Sequence, residues 1–180
     1  MAQWTFDPAH SSTNFTVRHM MVTNVRGSLG AISGTLNVDP ENPAESSVEA
    51  SIDVAGINTG VADRDGHLRS ADFFEVEKYP NITFKSTGVE VTGDNTAKIT
   101  GDLTIRDVTN TVVLNAEFLG QGGSPFGDTR AGFEATATID REAFGLTWNQ
   151  ALEAGGVLVG KDIKISLDVQ TILVTETANA

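Results

Sequence analysis

Apolar and polar residues alternate with a period of two along most of this chain, and few architectures can accommodate that pattern. Gly30, Ile32, Gly34, Leu36 and Val38 share one face, with Ser33, Thr35 and Asn37 on the other. The same alternation runs through Val48, Ala50, Ile52 and Val54, then Ile99, Gly101, Leu103 and Ile105, then Val112, Leu114, Ala116 and Phe118. It recurs in Phe133, Ala135, Ala137 and Ile139, and in Ile163, Ile165, Leu167 and Val169, the last set interleaved with Lys164, Ser166, Asp168 and Gln170. One dry face and one wet face per segment define an antiparallel sheet. Further strands at 13–19 and 82–91 bring the expected total to about eight, with turns at Asp39-Pro40-Glu41-Asn42-Pro43 and Gly93-Asp94-Asn95.

A sheet of that size must cover its apolar face, by forming a sandwich or by closing on itself. Closure also removes the exposed edges that long strands would otherwise leave, so an eight-stranded antiparallel barrel is expected. Its inner face mixes small residues (Gly34, Ala50, Gly101, Ala116, Ala135, Ala137) with large ones (Phe15, Phe84, Phe118, Phe133). Two readings fit this mixture. Barrels alternate small and large side chains to fill their taper, and a barrel of eight strands can also hold one small ligand.

Composition excludes several functions. The 180 residues suffice for one domain with a sizeable core, and a single domain spanning 1–180 is expected. Against 24 Asp and Glu stand 12 Lys and Arg, a formal net charge of −12, which repels phosphate backbones and makes nucleic acid an unsuitable partner. With no cysteine, disulfides, thiolate catalysis and thiolate zinc sites are ruled out. No apolar run reaches the length of an integral membrane segment. The N-terminus lacks a basic stretch followed by an apolar one, so the protein as written is expected in the cytoplasm, or in the periplasm or outside the cell if a signal peptide was removed.

One segment breaks the strand pattern. Residues 61–74 bring together Asp63, Arg64, Asp65, His67, Arg69, Asp72, Phe73 and Phe74 and read as a helical insert against the sheet. Asp63 and His67 stand at i, i+4, a spacing that sets them side by side on a helix. As base and orienter, His67 with Asp63 or Asp65 is the arrangement an enzyme would use. No Gly-x-Ser-x-Gly turn accompanies it, so an enzyme is not expected. His10, His19 and His67 come from separate segments without metal-ligand spacing, so hydrogen-bonded histidines are expected in place of a metal site. Phe73 and Phe74, being adjacent, cannot share a helix face.

Motifs in order carry a resemblance. Asp7-Pro8-Ala9-His10-Ser11-Ser12 leads into Phe15-Thr16-Val17-Arg18-His19-Met20, and the insert is followed by Lys78-Tyr79-Pro80-Asn81-Ile82-Thr83-Phe84. Then come Gly101-Asp102-Leu103-Thr104-Ile105, Asp140-Arg141-Glu142-Ala143-Phe144-Gly145-Leu146, Trp148-Asn149 and Gly155-Gly156-Val157-Leu158-Val159-Gly160. Over nearly its whole length the chain closely resembles the YceI-like family, also called polyisoprenoid-binding proteins. The resemblance implies a lipocalin-like barrel around an apolar tunnel, non-catalytic carriage or storage of an isoprenoid, an isoprenoid quinone or a fatty-acid derivative, and a homodimer. Beyond that bound lipid no cofactor is implied. The pattern departs from the family at Asp107, where glycine is usual after the Leu-Thr-Ile-Arg turn, and in lacking the signal peptide many members carry. Asp tolerates left-handed backbone better than most residues, so the turn is expected to survive.

For a long-chain amphiphile, Phe15, Val17, Met20, Met21, Phe73, Phe74, Phe84, Ile105, Phe118, Phe133, Phe144 and Trp148 are the expected apolar lining. His19, Arg64, His67 and Arg69 are the expected donors at a polar mouth. Arg64 can equally serve to anchor the helix to the sheet. Met20 and Met21, between two strands, suit a pliable rim.

Overall fold

The computed structural model describes residues 1–152 and 156–175, so Gly155 of the final glycine motif lies outside the described residues. Ten strands are present: β1 (Ala2–Phe6), β2 (Ser12–His19), β3 (Thr23–Ser28), β4 (Ile32–Val38), β5 (Ser47–Asp53), β6 (Asn81–Val91), β7 (Thr96–Ile105), β8 (Val108–Gly123), β9 (Thr129–Asp140) and β10 (Val159–Leu173). The helix α1 (Ala62–Arg69) lies between β5 and β6. All pairings are antiparallel, from β4 through β10 in sequence order. β1 pairs with both β4 and β10 and so closes the sheet.

Ten strands nevertheless occupy eight positions around the barrel. β10 is long enough to pair twice along one edge, Leu173 to Thr171 with β1 and Asp168 to Val159 with β2. A short 3₁₀ turn at Pro8–His10, capped by the Asp7 side chain, breaks the N-terminal strand into those two pieces. β3 then folds back on β2 as a hairpin. The expected eight-stranded closed barrel is therefore correct, and β1 and β3 are the strands the alternation did not announce.

Closure has a packed end and a looser wall. Phe6, Ile32, Ile52, Val54, Ile82, Phe84, Leu103, Ile105, Ile139, Phe144 and Leu146 form one buried cluster at the end where α1 sits. Glycine allows the tight contacts there: the Phe84 ring lies over Gly101, where a Cβ would stand 2.4 Å from the ring edge. Small beside large does fill this end of the barrel, as the taper reading expects.

The helix is shorter than the 61–74 insert. It stops at Arg69, where Ser70 turns to extended backbone and its hydroxyl donates to the His67 carbonyl at 2.6 Å. Phe73 and Phe74 follow in turns. Phe73 is buried, and Phe74 packs half-buried on the core cluster. None of the described helices is long and apolar enough to cross a membrane.

Candidate functional site

Inward-facing side chains differ in how completely the barrel covers them. At the packed end they are buried, but along β8 no inward residue is: Val112, Leu114, Ala116 and Phe118 all keep accessible surface, as do Ile163, Ile165, Leu167 and Val169 of β10. Phe15 and Val17 of β2 continue this strip through their pairing with Ile165 and Ile163. At its other end Phe118 and Phe133 stand as tilted rings 5.4 Å apart. Midway, Ala97, Ala116 and Ala135 are in register on β7, β8 and β9, with Leu167 of β10 beside Ala135. Three alanines in a row give this layer small side chains. The strip is partly buried, and Val112, Leu114, Ile163, Ile165, Leu167 and Val169 pack against the core cluster.

This divides the expected apolar lining. Phe15, Val17, Phe118 and Phe133 lie on that strip. Phe84, Ile105 and Phe144 do point inward but belong to the packed end, where neighbours cover them. Leu114, Ile165 and Leu167 lie on the same strip and were not among the expected lining, although the alternation already put them on the inner face. Met20 and Met21 are exposed at the hairpin tip between β2 and β3.

A lid crosses the helix end. His67 of α1 meets Phe73 and Trp148 edge to face, with ring centroids 5.1 and 4.6 Å away, and Phe73 and Trp148 are 5.5 Å apart. Trp148 belongs to the segment between β9 and β10, and Arg141 holds that segment in place. Arg141 is 3% exposed and donates to four carbonyls: Gly160 at 2.7 Å, Leu146 at 2.5 Å, Trp148 at 3.0 Å and Val159 at 3.1 Å. Burial lowers its pKa, while Glu142 and Asp140 oppose that shift. Asn149 ties the same segment to β10, donating to the Val159 carbonyl at 2.7 Å and accepting from its amide at 3.0 Å. Arg141 stands in the motif at 140–146, but the sequence does not show its role, because its acceptors are main-chain carbonyls brought in by the fold.

The arginines of the insert are turned to anchoring. Arg64 donates from Nε to the Thr59 hydroxyl at 2.7 Å and from Nη2 to the Thr59 carbonyl at 2.8 Å. Arg69 donates to the carbonyls of Ala55 and Ile57, both at 2.9 Å. Asp65, buried on the same helix, accepts from the Thr59 amide and hydroxyl at 2.8 and 2.5 Å, and the hydroxyl bond above all holds its carboxyl below the usual range. Three side chains thus clamp α1 to the loop after β5.

That clamp also dissolves the acid–base pair drawn from the sequence. The carboxylate on His67 is Asp72, 2.9 Å from Nε2, and Asp65 is committed to Thr59. Asp72 lies beyond the helix end, and the turn at Ser70 folds it back onto the ring. His10 is bonded to Asp7 at 2.7 Å, far along the chain from His19, which ends β2 opposite Val159. Among the described residues no three His, Cys, Asp or Glu gather as metal ligands. The left-handed residue of the β7–β8 turn is Arg106 (φ 56°), not Asp107. Arg106 is held there by the Phe73 carbonyl at 3.3 Å and by Glu75 at 3.1 Å.

These features define a closed antiparallel barrel of the lipocalin-like kind, with a partly buried apolar strip along one wall and a lid over one end. A YceI-like domain is matched over residues 4–171, and the chain belongs to the YceI-like family. A UPF0312 protein of Staphylococcus aureus strain USA300 is 38% identical over 171 residues, covering 94% of this chain and 97% of that protein. The Campylobacter jejuni YceI protein has a similar fold, with a TM-score of 0.74 and 29% identity over 88% of this chain and 90% of that one. Burkholderia cenocepacia BcnA shares the fold at a TM-score of 0.80 and 24% identity, covering 92% and 98% of the two chains. So does a polyisoprenoid binding domain from Saccharophagus degradans, at 0.69 and 14% identity over 97% and 100%.

Proposed function

We propose that the barrel binds one long-chain amphiphile, an isoprenoid, an isoprenoid quinone or a fatty-acid derivative, and carries or stores it without chemical change. One observation carries the reading: the inward apolar strip from Phe118 and Phe133 through Leu114 and Leu167 to Ile165 and Phe15 is only partly buried on the inner face of a closed barrel. Apolar surface left uncovered in a barrel is a ready site for a tail, each Å² removed from water contributing about 25 cal/mol before association costs. The polyisoprenoid-binding relative of the same fold supports this choice of ligand class.

The polar residues suit holding more than catalysis. His67 is enclosed by Asp72, Phe73 and Trp148, and among the described residues its ring is hydrogen-bonded to Asp72 and to no serine or other nucleophile. His19, at the hairpin end of β2 and in line with Phe15 and Val17, is the donor this reading assigns to the headgroup. Trp148 and Phe73 cover the apolar interior beside it.

A fluorescent fatty-acyl probe titrated into the purified protein tests the reading. Saturable uptake at one site per chain is expected, displaced by unlabelled polyprenol. Ala116→Trp, which fills the alanine layer, is expected to abolish uptake while the barrel stays folded. Undiminished uptake by that variant sinks the proposed location.

A further inference from the structure

The hairpin tip between β2 and β3 is exposed to solvent, and its chemistry is unusual for this molecule. Met20, Met21 and Val22 are exposed by 46, 60 and 72% in unbroken succession. Met20 (φ 51°) and Met21 (φ 63°) both adopt left-handed backbone, and the Val22 amide donates to the His19 carbonyl at 3.1 Å to close the turn. Met20 and Met21 are the central residues of that turn within a three-residue loop, and two left-handed positions in succession favour Asn-Gly, so methionine strains them. Folding alone would select neither the strain nor the apolar exposure. Val157, 40% exposed, extends the patch, and the Met21 side chain lies across Gly156.

Charge around the tip is equally distinctive. A chain of net charge −12 has no Asp or Glu between Asp7 and Asp39, the stretch that builds β2, the tip, β3 and β4. Arg18 and Arg26 are exposed on the outer face of this hairpin, and among the described residues neither is ion-paired. Neighbouring β10 interleaves exposed Lys161 and Lys164 with Asp162 and Asp168. Within the barrel, Phe15 and Val17 lead along β2 to His19 and so to the tip.

We infer that the β2–β3 hairpin docks the protein on an anionic lipid bilayer, Met20, Met21 and Val22 entering the interface while Arg18 and Arg26 face the headgroups. An apolar tip flanked by cations is the combination that holds a peripheral protein at such a surface. The acidic remainder of the molecule is repelled, which orients the barrel with this end down. Methionine side chains accommodate varied acyl chains. The purpose of docking, exchange of ligand with the membrane along β2, rests on the lipid-carriage reading; the docking geometry does not.

Flotation of the full chain with phosphatidylcholine vesicles, with and without phosphatidylglycerol, tests this. The wild type is expected to float with the anionic vesicles and to be released by salt. The double variant Met20→Asn, Met21→Gly, which suits the turn and removes its apolar tip, is expected to lose about tenfold or more in partition. Arg18→Gln with Arg26→Gln is expected to lose the preference for anionic vesicles. Both variants should keep the wild-type thermal midpoint or exceed it. A wild type that does not float, or an Asn-Gly variant that floats as well as wild type, overturns the inference. So does a wild-type dimer in sedimentation velocity that the Asn-Gly variant converts to monomer, since a second copy would then cover the tip. Probe uptake into the barrel in vesicle-free solution is read in parallel. Tip-dependent flotation without uptake supports docking and removes the lipid-carriage reading, whereas uptake without flotation removes docking alone.

Discussion

Replacing Arg141 by Met tests whether the lid is held by a buried cation. The guanidinium makes four hydrogen bonds to the carbonyls of Leu146, Trp148, Val159 and Gly160, without a carboxylate within ion-pair distance among the described residues. A bond from a charged donor is worth about 1.5–3 kcal/mol net, so four would exceed the stability of many proteins if simply summed. Desolvating the guanidinium offsets several kcal/mol of that. Methionine restores part of the packing but removes this donor from four carbonyls, of which, among the described residues, only that of Val159 keeps another side-chain donor, the Asn149 amide. The loss is about 3–5 kcal/mol by the standard of broken buried polar networks. For a chain of this size that corresponds to a fall of about 6–20 °C in Tm. Urea denaturation followed by circular dichroism gives the free energy, and in a Trp4→Phe background, where Trp148 is the remaining tryptophan, its emission reports the lid separately. Arg141→Lys, with a single nitrogen in place of the planar fork, should fall between. A loss below about 1 kcal/mol in Arg141→Met, with unchanged emission, would refute the argument.

Other expectations follow from single features. Met20→Asn with Met21→Gly relieves two left-handed non-glycine residues and should raise stability by about 1–2 kcal/mol in urea denaturation. Arg69→Met removes two bonds to the loop after β5 and should cost about 1–3 kcal/mol, with probe affinity unchanged if Arg69 only anchors α1. Asp7, Asp65 and Asp128 have pKa values lowered chiefly by hydrogen bonds from His10, Thr59 and Arg130 respectively. A carboxyl depressed in the folded state stabilises above its unfolded pKa and loses that contribution as pH falls through the folded value. Stability should therefore drop below about pH 4, and Asp7→Asn should flatten that acid limb in a Tm-versus-pH series.

Period-two alternation announced the strands that have a continuous dry face. It missed β1, whose five residues put only Trp4 and Phe6 clearly inside, and β3, Thr-Asn-Val-Arg-Gly-Ser, which is polar on both faces and exists through its pairing with β2. The turn that makes this pairing carries Met-Met, so no turn signal stood in the sequence. Alternation gives the face a residue occupies but not its height along the barrel. Phe84 and Phe118 both point inward, yet one is packed over Gly101 and the other remains partly open. The charged residues were least legible because their partners are distant or main-chain. Arg69 reaches fourteen residues back to the Ala55 carbonyl, Arg141 reaches nineteen forward to Gly160, and the Asp72 that meets His67 depends on where the helix stops. Arg106 took the left-handed turn position because Glu75 and the Phe73 carbonyl hold its side chain there.

Native mass spectrometry of gently purified protein tests the central claim most directly. One long-chain amphiphile per chain is expected, released on denaturation and absent from Ala116→Trp. Bare polypeptide mass in the wild type, persisting after incubation with polyprenol and fatty acid, would contradict it.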